Sequence, residues 1–231
     1  LKVRRDELKG QQKGHQTQLS TQKKQEQDLK KMQRERENTL KAIDKTLEKD
    51  QSQLEELKAN AVALQQKLVV ATRQAEEQEK RDIAQLDAKK SREENRKATE
   101  SEKQQVRAGS GLGSSKYSMP VSGKVVTNFG NGWNGVVISA SAGTPVQAIA
   151  GGKVMVAGWL QGYGNVVVIS HGHEDLSVYG YAQSILVKEG SRVSAGQTIA
   201  TVGNSGGRSS PALYFGITRA GVAVNPLRLV K

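Results

Sequence analysis

Three histidines and no cysteine are the chain's whole supply of soft or borderline metal-binding side chains, so any metal chemistry must pass through very few positions. Two of those histidines stand together in His171-Gly172-His173-Glu174-Asp175, a His-x-His followed by two carboxylates. The segment lies between two apolar runs of strand length, Asn165–Ser170 and Leu176–Tyr181, and therefore reads as a hairpin turn rather than a ligand set. A second stretch with the form of a site runs from Gly203 to Ile217. It is a Gly/Ser-rich loop leading through Pro211 into an alternating strand. The residues after the proline are Ala212, Leu213 and Tyr214, which carry no side chain suited to zinc at neutral pH. Without cysteine, disulfides and thiolate sites are excluded.

The elements that must position these residues fall into two physically different halves. Residues 1–107 carry 26 Lys+Arg and 20 Asp+Glu, whereas residues 108–231 carry nine and three. All nine aromatics and all four prolines lie after residue 116. In the first half, apolar positions step by three and four through Leu40, Ile43, Leu47, Leu54, Leu57, Ala61, Leu64, Leu68, Ala71 and Ala75, with Asp50 interrupting. That spacing predicts a coiled-coil helix over 1–75, weakened near Gly10 and Gly14 and in need of a partner helix. From 76 to 107 the seam fades, leaving Ile83 and Leu86 as the only large apolar residues between Val70 and Val106. This segment reads either as a solvated helix or disordered linker, or as a mobile helical arm whose small Ile83/Leu86 face docks on something. Residues 108–118, rich in Gly and Ser, are expected to form a flexible hinge. From 119 to 231 the period changes to two, with short Val/Ile-rich runs between Gly-containing turns, which predicts an all-β domain.

The net charge of +12 raises nucleic acid as a partner. The mixed charges of the first half read instead as a solvated helix face, and the nine later cations form no nucleic-acid-binding pattern, so none is expected. There is no apolar run long enough to cross a membrane. A chain opening Leu-Lys-Val is expected to be a processed or truncated product.

Ser139–Val146, Tyr163–His171, Val187–Gln197 and Val224-Asn225-Pro226 occur in the order and spacing of the LytM (M23) peptidases, and the β domain resembles that family along its whole length. For the β domain the resemblance implies the all-β LytM fold, a duplicated hybrid motif, so the expected architecture is the long α-helical coiled-coil segment followed by that domain. In active members a His-x-Gly-x-Asp motif, a Tyr-x-His segment and a Pro-His-x-His motif supply zinc ligands and catalytic histidines. The matching positions here are Trp133, Val137, Tyr181, Ala212 and Tyr214, so no catalytic residue, metal or cofactor is expected. The substitutions convert a polar cleft into an apolar, aromatic groove, expected to bind a partner through Trp133, Asn134, Tyr163, Val166, Tyr179, Tyr181, Tyr214 and Arg219.

Coiled coil, arm and degenerate LytM domain together resemble the murein hydrolase activators. What this implies is a periplasmic, non-enzymatic protein of the division septum that stimulates N-acetylmuramoyl-L-alanine amidases of the AmiA/AmiB type. Its coiled coil would be held by the FtsEX complex, and the arm would cover the groove at rest through Ile83 and Leu86. The alternatives are a peptidoglycan-binding module without activator role and an active zinc endopeptidase.

Overall fold

The computed structural model describes the chain except for Leu1, Ala108 and Ser115. It forms two units, Leu1–Glu56 and Leu57–Lys231. One helix, α1 (Lys2–Glu93), contributes to both.

In the first unit α1 is helical through Gly10 and Gly14, where no residue packs against the missing Cβ positions. The predicted seam is fully displayed there, with Leu8, Leu19, Leu29, Met32, Leu40, Ile43, Leu47 and Leu54 all exposed. Lys30 and Lys41 pair with Glu26 and Glu37 one turn earlier, the favourable order for an exposed helix.

In the second unit the same seam is used differently. Leu64, Leu68 and Ala71 are buried against the β domain rather than against another helix. After Glu93 the chain turns, and α2 (Glu100–Val106) folds back under a Thr99/Glu102 capping box. Asp87 accepts from the Ala98 amide at 2.9 Å and lies 3.5 Å from Lys103, fixing α2 to the end of α1.

The β domain has eleven strands: β1 (Lys124–Thr127), β2 (Val136–Ser139), β3 (Pro145–Gln147), β4 (Gly152–Leu160), β5 (Gly164–Ser170), β6 (Leu176–Ala182), β7 (Ser184–Ile185), β8 (Arg192–Val193), β9 (Thr198–Thr201), β10 (Ala212–Arg219) and β11 (Val222–Val224). The main sheet runs β1-β2-β10-β6-β5-β4-β8, with β11 added to β10, and a small sheet has the order β3-β9-β7. Alternation gives the main sheet two apolar faces. Val136, Ile138, Val167, Ile169, Tyr179, Leu213, Phe215 and Ile217 join Val146, Ile199 and Val202 in the principal core. Val137, Val166, Val168, Leu176, Val178 and Tyr214 form the opposite face, which α1 covers. This is why β6 is buried at every residue.

The stretch expected to be a free hinge is docked. Leu112 is buried; its amide donates to Asp175 Oδ2 at 2.6 Å, and the Gly111 amide donates to the His171 carbonyl at 2.8 Å. Ala108 and Ser115, also part of that expectation, lie outside the described residues.

Candidate functional site: a degenerate cleft under a helix

The five positions matching the metal site converge. Val137 on β2, Tyr181 on β6, and Ala212 and Tyr214 on β10 belong to one buried cluster, with Trp133 packed at its edge. β2 and β6 both pair with β10, setting Tyr214 opposite Val137 and Gly180. A backbone irregularity completes the set. Tyr179 and Tyr181 would share a face in a regular strand, but Tyr181 has φ +66° and the β5–β6 register shifts beside it. Tyr181 therefore turns into the cleft while Tyr179 points into the principal core.

Three tyrosines fill the cleft. The Tyr163 and Tyr214 rings meet edge to face at 4.8 Å, Tyr181 and Tyr214 do so at 5.9 Å, and Tyr163 stacks on Tyr181 at 6.1 Å. Such pairs contribute about 0.5–1.5 kcal/mol each beyond area burial. Tyr214 fits because residue 135 is glycine: a Cβ there would lie 2.8 Å from the Tyr214 hydroxyl and 2.6 Å from the Phe215 carbonyl.

Zinc does not fit this donor set. Val137 and Ala212 offer no ligand atom, and Trp133 offers only an indole N–H donor. The phenols resist becoming phenolates: burial pushes the Tyr163 hydroxyl up to about 12 and raises Tyr214 well above the ordinary phenol value. Burial also raises Tyr181, against the lowering effect of nearby Arg208. Among the described residues no group of three or more His, Asp or Glu side chains is placed to hold a metal.

The decoy histidine has a structural role. His171 is buried, with Nδ1 2.8 Å from the Gly151 carbonyl and Nε2 2.8 Å from the Ser177 hydroxyl. A carbonyl only accepts, so Nδ1 carries the proton and Nε2 accepts from Ser177. Burial lowers the pKa of His171, which favours this neutral form.

The cleft is occupied by α1. Leu64 and Leu68, one turn apart, are 3% and 5% exposed and join the same cluster as Tyr163, Tyr181 and Tyr214. Asn60 lies over the tip of the β4–β5 hairpin so closely that a Cβ on Gly162 would come within 2.3 Å of its amide nitrogen. Gln65 Nε2 donates to the Gly221 carbonyl at 3.0 Å. Further along, Asp82 lies 3.6 Å from Lys153, and Glu79 lies 3.3 Å from Arg107. Arg192 in turn donates to the Arg107 carbonyl at 3.0 Å.

Of the residues expected to line the groove, Tyr163, Val166, Tyr181 and Tyr214 do so and Trp133 borders it. Asn134 is exposed in the turn before β2. Tyr179 lies on the other face, packed 5.5 Å from Phe215, with its hydroxyl accepting from the Ile149 amide. Arg219 also stands apart: it donates to the carbonyls of Leu112 and Gly113 and lies 3.7 Å from Asp175, stapling the chain before β1 to the domain. Ile83 and Leu86 are not among the residues packed with Tyr163, Tyr181 and Tyr214. Ile83 is half-buried beside His173, Glu174 and Leu176, and at 1.5 Å rise per residue it lies about 22 Å along the helix from Leu68. The residues missed were Leu64, Leu68 and Arg208. The leucines are visible as seam positions, which by spacing alone point to a coiled-coil partner.

Residues 131–226 match the Peptidase family M23 profile, and the fold is accordingly a long helix followed by a β domain of the M23 class. The chain is similar to the murein hydrolase activator EnvC of Escherichia coli, at 43% identity over 199 residues that cover 80% of this chain and 48% of that protein. A Haemophilus influenzae protein is 52% identical over 141 residues, 58% of this chain and 34% of that one. The murein hydrolase activator NlpD of Salmonella dublin is 44% identical over 118 residues, 49% of this chain and 31% of that protein. The chain thus spans between about a third and a half of the length of these relatives.

Proposed function

We propose that this protein is a non-catalytic activator of a peptidoglycan hydrolase, and that the M23-type cleft is the surface on which it engages that enzyme. The observation that carries the reading is the cluster itself. All five positions that match a zinc site are apolar or aromatic, and two leucines of the chain's own helix occupy them. A groove that already accepts a Leu-x3-Leu helix face is suited to a helix from a partner. The names of the similar proteins, murein hydrolase activators, agree with this role.

The finer reading has the amidase class as target, with N-acetylmuramoyl-L-alanine amidases of the AmiA/AmiB type offering the competing helix. Residues 57–75 hold the groove closed at rest. The exposed seam upstream is where a membrane complex of the FtsEX kind would grip and displace them, in the periplasm at the division septum.

Dye release from labelled peptidoglycan tests this with purified amidase and the full chain, comparing the native protein with Leu64→Ala/Leu68→Ala. Stimulation is expected to rise in the variant. A protein that sediments with peptidoglycan yet stimulates no amidase in either form would replace the proposal with a simple binding module. Cross-bridge cleavage without amidase would replace it with an endopeptidase.

A further inference from the structure

Among the described residues, the groove wall carries a cation, Arg208, that the resting helix leaves unanswered. Arg208, in the loop before β10, places its guanidinium carbon 4.9 Å from the Tyr181 ring centroid. Its Nε is buried without a hydrogen-bond partner among the described residues. The three acids of the β domain are engaged elsewhere. Asp175 faces Arg219 and the Leu112 amide, Glu189 accepts from the Ala157 amide at 3.1 Å, and Glu174 faces Glu76, whose like charge raises its pKa.

The covering helix offers nothing either. From Leu57 to Ala75 it contains no Asp or Glu, but it carries Lys58, Lys67 and Arg73. This acid-free stretch is set in a half-chain with 20 acids, and it lies against a domain with nine cations and three acids. The helix and the domain it covers thus carry like net charge. Apolar contact and the Gln65–Gly221 hydrogen bond hold residues 57–75 on the domain, the Asp82–Lys153 ion pair lies further along α1, and among the described residues no carboxylate pairs with Arg208.

Resting on the reading of the cleft as the partner-binding groove, we infer that Arg208 is a specificity-determining residue that pairs with a carboxylate on the incoming helix. The ligand class is therefore narrower than an amphipathic helix. It is a helix with two large apolar residues one turn apart and an Asp or Glu that reaches the Tyr181/Arg208 corner. Chain charge complementarity supports the same occupant, because an acidic helix gains attraction over a surface where the resting helix meets repulsion. A guanidinium stacked on an aromatic face is preorganised for such a pairing. The acid-free composition of residues 57–75 then has a function: it keeps the internal helix a weaker occupant than the partner.

The test uses the full chain carrying Leu64→Ala/Leu68→Ala, so that closure does not mask binding, and a purified N-acetylmuramoyl-L-alanine amidase as the probe. Affinity is measured at low and high salt for Arg208→Gln, Arg208→Lys and Arg208→Glu, with Tyr214→Glu as the groove control and thermal unfolding as the check on folding. Arg208→Gln is expected to weaken binding about tenfold at low salt and to flatten the salt dependence. Arg208→Lys should retain part of the affinity, and Arg208→Glu should lose more than Arg208→Gln. A single acid-to-lysine change in the amidase should restore binding to Arg208→Glu. If the Arg208 variants bind like their parent with the same salt slope while Tyr214→Glu fails, the role of Arg208 is overturned and the groove stands. If Tyr214→Glu also binds normally, the groove reading itself has failed.

Discussion

Replacing Leu64 and Leu68 by alanine should open the groove by a predictable amount. Both side chains are at least 95% buried against the tyrosine cluster, and neither makes a polar contact whose loss would confuse the result. Burying one leucine contributes about 1.5–3 kcal/mol, so the pair contributes about 3–6 kcal/mol to closure. At about 1.4 kcal/mol per factor of ten, the open fraction should rise roughly 10²- to 10⁴-fold. Alanine keeps helix propensity, so α1 itself is not weakened. Val69 and Val70, each 54% exposed on the same helix, supply the control: their alanine variants should leave closure nearly unchanged. The assay is amide hydrogen exchange over residues 57–75 and 212–217, alongside amidase stimulation. Exchange at both segments should accelerate in the leucine pair and not in the valine pair. If the leucine variant exchanges like the native chain, the helix is not held by this contact and the reasoning fails.

Three further outcomes follow from the same geometry. Val166→Glu should both loosen the helix and destroy the binding surface, giving fast exchange over 57–75 with no amidase stimulation; an activated Val166→Glu protein would contradict the groove assignment. His171 is lowered by burial, so below about pH 6.5 the unfolded state binds the additional proton and domain stability should fall with decreasing pH, by at most about 1.4 kcal/mol per pH unit. Thermal unfolding of His171→Gln should lack that slope, while above pH 7 the two proteins should show parallel pH dependence. Dialysis against zinc followed by elemental analysis should leave no stoichiometric metal, and added zinc should produce no cross-bridge cleavage.

Much of this architecture was legible because period and turn chemistry are local. The longer strands from Lys124 to Thr218 are Val/Ile-rich runs of period two, whereas β7, β8 and β11, two or three residues long, are too short for a period to show. The cleft was legible because the motif spacing brings Trp133, Val137, Tyr181, Ala212 and Tyr214 together whatever side chains stand there. Other features depended on information that no local pattern contains. A helix stripe of Leu57, Leu64, Leu68 and Ala71 looks the same whether it meets another helix or a sheet. The Ile83/Leu86 face therefore stands out in the sequence as the isolated apolar patch, although the occupant is the leucine stripe. Tyr179 and Tyr181 both stand among the expected groove residues, whereas one left-handed backbone position sends the two rings to opposite faces. Arg219 and Arg208 could be separated only by seeing which carbonyls and rings surround them.

The central claim is that one groove has two alternative helical occupants, and hydrogen exchange of the native chain with and without the amidase measures this most directly. Addition of amidase should accelerate exchange over residues 57–75 while residues 163–168 and 212–217 remain protected. Amidase stimulation with residues 57–75 still fully protected would contradict the account.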